Sequence, residues 1–271
     1  MTTDDGLRIL VFGAHPDDCD LRCGGMAMKW RALGHHVKFI SMTNGDTGHH
    51  EMGGGPLARR RYAEAQAAAE VADIEYEVFD IHNGKLEPNL HYRGMTIVAI
   101  REYRPDLVIC HRPNDYHPDH RAVGVLVQDA IFGCTVPNVM ALTPPLERPP
   151  VLGHPYDRFT DPTPWVPTVA VDTDDVFERK VQMVNCHESQ MYEWNLRFSE
   201  PIEGDEARLE FLCEGLTRRF GNLAEDVREC LVEWYGEEHG NAVRTAESVM
   251  ISEYGSVPDE DRLRELFLFY D

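Results

Sequence analysis

The sequence predicts an α/β fold of the Rossmann-like, doubly wound type: a mostly parallel sheet with helices on both faces, followed by a helical C-terminal appendage. Short apolar runs alternate with helix-forming segments through about the first 135 residues, as in a series of βα units. The first run, 9–12, is apolar at every position, which is typical of a strand buried on both faces. From Asp205 onward the sequence is acidic and helical in pattern.

Each of the first four predicted strands is followed by a predicted helix. Gly34 is a suitable C-terminal cap for the first helix, and Arg104-Pro105 ends the third. The predicted strands are 9–12, 37–42, 76–81 and 107–110, and the predicted helices are 21–34, 57–72, 92–103 and 123–132.

The middle of the chain is rich in proline. Because prolines are dense between residues 136 and 167, we predict a long irregular loop there, of the kind that often forms a lid or a wall of a site. A predicted strand at 168–171 and a predicted helix from Asp172 to about Gln190 follow this loop.

The domain organisation predicted from these segments is simple. We find no internal repeat and no linker, so we predict one domain, 1–271, with a core at about 7–190 and a helical extension at about 205–271. The extension is expected to end in a helix over 262–270. It contains three glycines that are predicted to interrupt its helices: Gly221, Gly236 and Gly240.

Charge and cysteine usage limit the classes of partner. A formal charge of −21 over 271 residues argues against nucleic acid and against anionic membrane surfaces as partners.

The first six residues lack the basic and apolar regions of a signal peptide, so we expect a cytoplasmic protein. The least charged stretch, 122–146, contains Asp129 and a proline pair, so we predict no transmembrane helix. Seven cysteines without a C-x-x-C motif are expected to be reduced thiols.

Two short motifs carry the metal-binding side chains. His15-Pro-Asp-Asp18 follows the first predicted strand, and His117-Pro-Asp-His120 follows the fourth. Ligand sites of open α/β sheets lie at the carboxyl ends of the strands, so we expect the two motifs to meet there. Zinc in hydrolytic sites takes three ligands of the histidine and carboxylate type and keeps a position for water. The polar residues exceed what one ion needs, which leaves candidates for a base and for an oxyanion donor.

Three other interpretations of these motifs compete with a hydrolase. A strand-end Asp or His is often only a helix cap, although two such motifs at neighbouring strand ends make this less attractive. A non-heme iron oxygenase also uses two histidines and one carboxylate, but the spare carboxylate between the paired ligands disfavours it. A metal- or sugar-binding module without catalysis would need no base. His111, at the end of the fourth strand, is interpreted as a buried imidazole rather than a ligand.

Five motifs occur in an order that resembles the PIG-L/LmbE-like family of zinc-dependent N-acetylglucosaminyl deacetylases. The resemblance covers about residues 7–190, and the two histidine motifs in their order are its most specific part. The chain departs from the family at Asp20, where the family usually has Glu. The motifs are Ala14-His-Pro-Asp-Asp18, Thr43-Asn-Gly-Asp46, Arg61-x-x-Glu64 followed by Ala67-Ala-Ala, His117-Pro-Asp-His120 and His187-Glu-Ser-Gln190.

This resemblance implies one Zn²⁺ per chain, held by His15, Asp18 and His120. It implies that Asp17 is the general base that activates water and that His117 faces the developing oxyanion. The expected reaction is removal of the N-acetyl group from a small molecule or oligosaccharide that contains N-acetylglucosamine. An amidase that removes a different acyl group from an amino-sugar conjugate stays open. Some relatives are oligomers, so a homo-oligomer is a further expectation.

Four further residues are candidates on the same resemblance or on position. We assign Asp119 to the catalytic set as a carboxylate that orients His117 or a ligand histidine. Arg61 resembles the family arginine that lines the substrate pocket; a surface arginine beside Glu64 is the alternative. Asn44 and Asp46, in the loop after the second strand, are candidates for contacts with sugar hydroxyls.

Overall fold

The computed structural model describes residues 6–267 and residue 269. The N-terminal residues used for the signal-peptide prediction and the end of the predicted last helix, Tyr270, lie outside this range. The strands are β1 Arg8–Gly13, β2 His36–Ser41, β3 Glu75–Val78, β4 Leu107–Cys110, β5 Val151–Pro155, β6 Val169–Asp172 and β7 Ala246–Ile251. The helices are α1 Asp18–Ala32, α2 Gly55–Ala72, α3 Leu90–Tyr103, α4 Pro118–Gly133, α5 Phe177–Asn185, α6 Asp205–Asp226, α7 Arg228–Tyr235, α8 Glu237–Ala242 and α9 Glu260–Leu266, with a π-helical segment at Ser189–Trp194.

The strands form one sheet in the order β3-β2-β1-β4-β5-β7-β6. Strands β1 to β5 pair in parallel, whereas β7 is antiparallel to both of its neighbours. The chain proceeds outward from β1 to β3 and then returns to place β4 on the other side of β1. The carboxyl ends of β1 and β4 are therefore adjacent at the point where the strand order reverses, which is where open α/β sheets form a ligand crevice.

The two faces of the sheet are covered by different helices. Alternate residues of β1 enter different cores: Ile9 and Val11 pack with residues of α1 and α2, while Leu10 and Phe12 pack with residues of α3 and α4. This period of two is what a pleated strand imposes, and apolar residues on both faces require helices on both sides. The predicted fold class is confirmed, including the mostly parallel sheet and the two helical layers.

The proline-rich stretch contains a strand that the sequence did not predict. Residues 151–155 form β5, which is buried between β4 and β7. Gly153 and Pro155 disfavour a strand on propensity alone, so the pattern gave no signal. Pro155 is tolerated because it is the last residue of β5, where the parallel pairing to β4 has already ended.

The C-terminal segment contributes more than the predicted helical appendage. It contains four helices, but residues 246–251 form β7, which inserts between β5 and β6 in the sheet. Gly221 does not interrupt a helix, because α6 continues through it, whereas Gly236 separates α7 from α8 with φ 82°. The division into a core at 7–190 and an extension stays a prediction, as does the single domain.

The cysteines form no disulfide bond within the described residues. All seven cysteines lie in the described part of the chain and are free thiols, five of them buried. None of the helices within residues 6–267 combines the length and the apolar character that a bilayer crossing would need.

Candidate metal centre and its pocket

Side chains from the two motifs meet at one point. Three atoms, His15 Nδ1, Asp18 Oδ2 and His120 Nε2, lie 3.3, 3.4 and 3.4 Å from one another. A tetrahedral ion with ligands about 2.1 Å away would separate them by about 3.4 Å. The three donors therefore fit a zinc-like ion by spacing and by chemistry. The order of the strands explains the convergence, because β1 and β4 pair directly up to Phe12 and Cys110.

The Asp18 carboxylate is fixed by the turn that ends β1. Its Oδ2 accepts hydrogen bonds from the backbone N–H groups of Ala14 and His15, at 3.0 and 2.8 Å. Helix α1 starts at Asp18 itself, three residues earlier than predicted, so the carboxylate lies in the first turn of the helix. A Cβ at Gly13 would lie 2.9 Å from the Asp18 Cβ and from the Cys19 Sγ, so only glycine permits this close approach of helix and strand.

Each of the two histidines is supported by a carboxylate on its far side. His15 Nε2 lies 3.2 Å from Asp119 Oδ2, which also accepts the backbone N–H of Gly84 at 2.7 Å. His120 Nδ1 lies 3.1 Å from Asp115 Oδ1. Such partners fix the tautomer of a metal-binding histidine and leave the other ring nitrogen as a donor. The structure thus places Asp119 behind His15 rather than beside the reacting atoms, and it adds Asp115, which the sequence analysis did not assign.

Electrostatics favour a cation at this point. Burial lowers the pKa of His15, but Asp119 and Asp18 outweigh it and raise the value to about 9. In the same way, Asp18 and Asp115 overcome burial and raise the pKa of His120 to about 10. Burial raises the pKa of Asp18, but the neighbouring imidazoles hold it well below its usual range. Without an ion, protons on the two histidines supply the positive charge that the carboxylates demand.

His111 is buried, as predicted, and also lies against this cluster. Its Nε2 lies 3.3 Å from Asp18 Oδ2, and its ring stacks on His120 with centroids 4.1 Å apart. Burial and the neighbouring His120 lower the pKa of His111 to about 4, so it is neutral at pH 7. Two other groups of three residues also have their possible ligand atoms within 4.8 Å of one another. One group is Asp18, His111 and His120, and the other is His15, His117 and His120.

The two candidate catalytic side chains stand at the starts of α1 and α4. Asp17 occupies the N-cap position of α1, yet among the described residues its carboxylate caps no N–H of that helix. Its Oδ1 instead accepts from Arg61 Nη2 at 3.2 Å, and Arg61 is only 2% exposed. His117 caps α4 by accepting the Asp119 N–H at Nδ1, 3.2 Å away, so the proton of the neutral ring is on Nε2. Burial, with His15 and His120 nearby, lowers the pKa of His117.

These groups line a cavity of about 740 Å³. One wall comes from the two motifs, with Arg61, Tyr116 and the 83–84 turn. The opposite wall comes from the π-helical segment, including Trp194, and from α6. The sequence of α6 gave no signal for this position. The cavity is large enough for a ligand of disaccharide size.

Comparisons with known proteins show the family of the chain. The family model described as "PIG-L: GlcNAc-PI de-N-acetylase" matches residues 10–131. The chain is 30% identical over 207 residues to a diacetylchitobiose deacetylase of Thermococcus kodakarensis, covering 71% of this chain and 74% of that protein. The chain belongs to the PIG-L family. This confirms the family that the sequence motifs resembled.

Two further relatives show the breadth of the similarity. The PIG-L chain is 24% identical over 193 residues to a 4-oxalmesaconate hydratase of Pseudomonas putida, covering 68% of this chain and 74% of that protein. The structure resembles that of N,N'-diacetylchitobiose deacetylase from Pyrococcus horikoshii, with a TM-score of 0.71 and 22% identity over 95% of this chain and 89% of that one. At 22% identity, the similarity to the Pyrococcus horikoshii structure shows that the two chains share a fold.

Two predicted sugar contacts of the PIG-L chain are engaged elsewhere. Asn44 Nδ2 donates to Asp80 Oδ1 at 2.8 Å. Asp46 accepts from His82 Nδ1 at 2.5 Å and from the Asn83 N–H at 3.0 Å. Asp46 therefore holds the 82–84 turn, whose last residues line the cavity, whereas Asn44 binds Asp80 and the Asp46 N–H. Neither side chain belongs to the cavity lining found for the described residues.

Asp20, the departure from the family motif, is fully buried and has two partners. Its Oδ2 accepts from the Tyr76 hydroxyl at 3.0 Å, and its Oδ1 lies 3.2 Å from His187 Nε2. Burial lowers the pKa of His187, but the Asp20 carboxylate reverses this and raises it. The shorter carboxylate therefore still joins α1 to the His187 motif that forms part of the family resemblance.

Two arginines of the PIG-L chain face the cavity without a carboxylate partner. Arg22 lies one helical turn after Asp18 on α1, and Arg219 lies on α6. Within residues 6–267 and 269, neither guanidinium has a carboxylate oxygen within 4.0 Å; Arg22 donates only to the backbone oxygen of Tyr156, at 2.6 Å. The sequence alone gave no signal for either position.

Proposed function

We propose that this PIG-L chain is a zinc-dependent N-deacetylase that removes the acetyl group from an amino-sugar-containing small molecule or oligosaccharide. His15, Asp18 and His120 would hold one Zn²⁺, which lowers the pKa of a water molecule and polarises a carbonyl group. The observation that carries the proposal is the position of Asp17. Its carboxylate caps no N–H of α1 in the described chain and lines the same cavity as the three donors. The diacetylchitobiose deacetylase relative supports the substrate class.

Asp17 would act as the general base and then as the general acid. Arg61 binds its Oδ1, which orients the carboxylate and leaves Oδ2 to take a proton from the attacking water. The same oxygen would return that proton to the departing amine when the amide C–N bond breaks. The products are acetate and a free amino sugar.

His117 would bind the oxygen of the acetyl group. Because its Nδ1 is occupied by the Asp119 N–H, the neutral ring presents an N–H at Nε2. A donor already oriented toward the developing negative charge stabilises the transition state more than the ground state. His117 therefore performs this role in its neutral form, which agrees with its lowered pKa. Asp119 and Asp115 are positioning residues that hold His15 and His120.

The test is a panel of N-acetylated amino sugars scored for both acetate and free amine. We expect stoichiometric release of both, loss of activity with a chelator and recovery with Zn²⁺. The same panel with longer N-acyl groups tests the amidase alternative, which requires faster cleavage of a longer acyl chain. Tight sugar binding without release of acetate in the zinc-loaded protein would instead identify a binding module.

A second candidate function is hydration of an unsaturated polycarboxylate. The similarity to a hydratase of Pseudomonas putida and the unpaired Arg22 and Arg219 favour it, because arginine forks bind carboxylates. The two functions are separated by their products. A hydratase adds water to the conjugated double bond of a polycarboxylate, so the absorbance falls and no acetate is released. The deacetylase releases acetate and leaves the polycarboxylate unchanged.

Location and assembly are separate proposals. The cytoplasmic location and the homo-oligomer stay predictions from the sequence. Fractionation of producing cells measures the location, and light scattering of the purified protein at several concentrations measures the oligomeric state.

A further inference from the structure

A second cavity adjoins the candidate metal centre and is lined by positive charge. It has a volume of about 380 Å³ and shares Leu21, Arg22, Gly215 and Arg219 with the larger cavity. Two further arginines complete its cationic lining: Arg158 and Arg218. We call these four arginines the arginine cluster. The only carboxylate in its described lining, Asp157, is already bound by Arg112 through two hydrogen bonds of 2.7 and 2.5 Å.

This concentration of arginine is unusual for so acidic a chain. With 47 acidic residues against 26 basic ones, carboxylates are abundant partners for an arginine. Arg158 has such a partner in Asp226, at 2.9 Å. In contrast, Arg22, Arg218 and Arg219 have no carboxylate oxygen within 4.0 Å in the described part of the chain. These three arginines therefore have no direct ion pair among the described residues, and the Asp17 and Asp18 carboxylates act on Arg219 only from beyond 4.0 Å.

Arg219 lies on α6 near a second cation, Arg22. Loss of water around its guanidinium, together with the neighbouring Arg22 cation, lowers the pKa of Arg219 to about 10. Arg22 and Arg219 repel each other across the cavity, and an anion bound between their guanidinium groups would offset this repulsion. Gly215 lies one helical turn before Arg219 on α6 and lines both cavities, and a Cβ there would have no atom within 4 Å.

We propose that the arginine cluster binds an anionic group, a carboxylate or a phosphate, which the amino-sugar substrate carries on the side away from its acetyl group. Arg22 follows Asp18 by four residues on α1, so the two are about 6 Å apart along the helix axis, and one small conjugate reaches both. The inference rests on the proposed deacetylation. It narrows the substrate class from amino sugars in general to anionic amino-sugar conjugates.

The test compares two substrates that differ only in charge. They are the carboxymethyl glycoside of N-acetylglucosamine and its neutral carboxamide; N-acetylglucosamine 1-phosphate provides the phosphate comparison. We measure kcat/KM for the zinc-loaded wild type, Arg22→Gln, Arg219→Gln and the double variant. Arg93→Gln is the matched control, because Arg93 is an exposed arginine of α3 that pairs with Asp129 outside both cavities.

The wild type is expected to prefer the acid over the amide. Each arginine substitution should lower the acid-to-amide ratio by about tenfold, because a charge-assisted hydrogen bond is lost. The double variant should bring the ratio close to one, and Arg93→Gln should leave it unchanged. An equal preference for acid and amide in the wild type, or a ratio that the double variant does not change, overturns the arginine cluster as the anion site while deacetylation stands.

A binding measurement separates this inference from the proposed function. If no compound of the panel releases acetate, the deacetylase proposal fails, and calorimetry with the carboxymethyl glycoside still tests the anion site. Wild type and double variant retain the same three candidate metal donors, so any contact with the metal is common to both. Weaker binding by the double variant alone supports the site, and equal binding overturns it.

Discussion

Asp119 Oδ2 lies 3.2 Å from His15 Nε2, although the two residues are 104 positions apart. The contact joins the motif after β1 to the motif after β4. It turns the Nδ1 of His15 toward Asp18 and His120, and it places a buried negative charge behind the ring. The candidate metal centre is thus built from two pairs, Asp119 with His15 and Asp115 with His120, around the single carboxylate of Asp18.

These supporting carboxylates should determine metal affinity. Asp119→Asn and Asp115→Asn remove the negative charge but keep the size of the side chain. We expect each to weaken Zn²⁺ binding by about 10- to 100-fold. Competition with a chromogenic chelator at fixed pH measures the change. Asp129→Asn, an exposed carboxylate of α4, is the control, and an affinity for Asp119→Asn equal to that of the control would contradict the arrangement.

Asp17→Asn should separate catalysis from metal binding. The amide can still receive the hydrogen bond from Arg61, but it cannot accept a proton from water. We expect turnover to fall by about 10²- to 10⁴-fold. The zinc content should remain at one per chain, because Asp17 is outside the triangle of donors. Metal analysis and acetate release are measured on the same preparation. Unchanged turnover would require a different base.

Metal binding should release protons. The pKa of His15 is about 9 and that of His120 about 10 in the metal-free protein, so both rings are protonated at pH 7.5. An ion must displace both protons, so about two should be released per ion, and the affinity should rise steeply with pH up to about 9. Calorimetry in buffers of different ionisation enthalpy counts them. A binding enthalpy independent of the buffer would show that the histidines are neutral before the ion arrives.

The parts of the site that could be predicted are those that depend on strand ends. The βα alternation and the buried first strand place the two histidine motifs at one edge of a parallel sheet, and the structure brings His15, Asp18 and His120 together there. Their role as ligands stays a prediction. Asn44 and Asp46 are bound to Asp80 and His82 of a neighbouring loop, an arrangement that their position after the second strand did not indicate; their contact with sugar hydroxyls stays a prediction.

The parts that could not be predicted depend on contacts between distant segments. Asp115 has the ordinary appearance of a turn residue until His120 is placed against it. Arg219 acquires its significance only when α6 is packed across the crevice. Strand β7 contains Glu247 at a fully buried position, which argues against a central strand on hydrophobic pattern. The Glu247 carboxylate is bound there by Lys180, which is 67 residues away.

Removal of one partner of the Lys180–Glu247 ion pair should destabilise the folded protein strongly. Both side chains are 0% exposed, and Glu247 also accepts the backbone N–H groups of Gly25 and Met26 at 2.8 and 2.7 Å. The pair therefore ties β7 to α5 and to α1. Lys180→Met would leave the Glu247 charge buried without a cation, and breaking such a pair costs about 3–5 kcal/mol.

Urea unfolding measures this cost, and the solvent-accessible pair of Lys38 and Glu77 provides the control. Their side chains are 21% and 46% exposed, so Lys38→Met should change the free energy of unfolding by no more than about 1 kcal/mol. The comparison removes the general effect of replacing a lysine by methionine. Equal losses for both variants would mean that Glu247 is neutral in the folded protein, because only a charged carboxylate needs the cation of Lys180 to remain buried in the sheet.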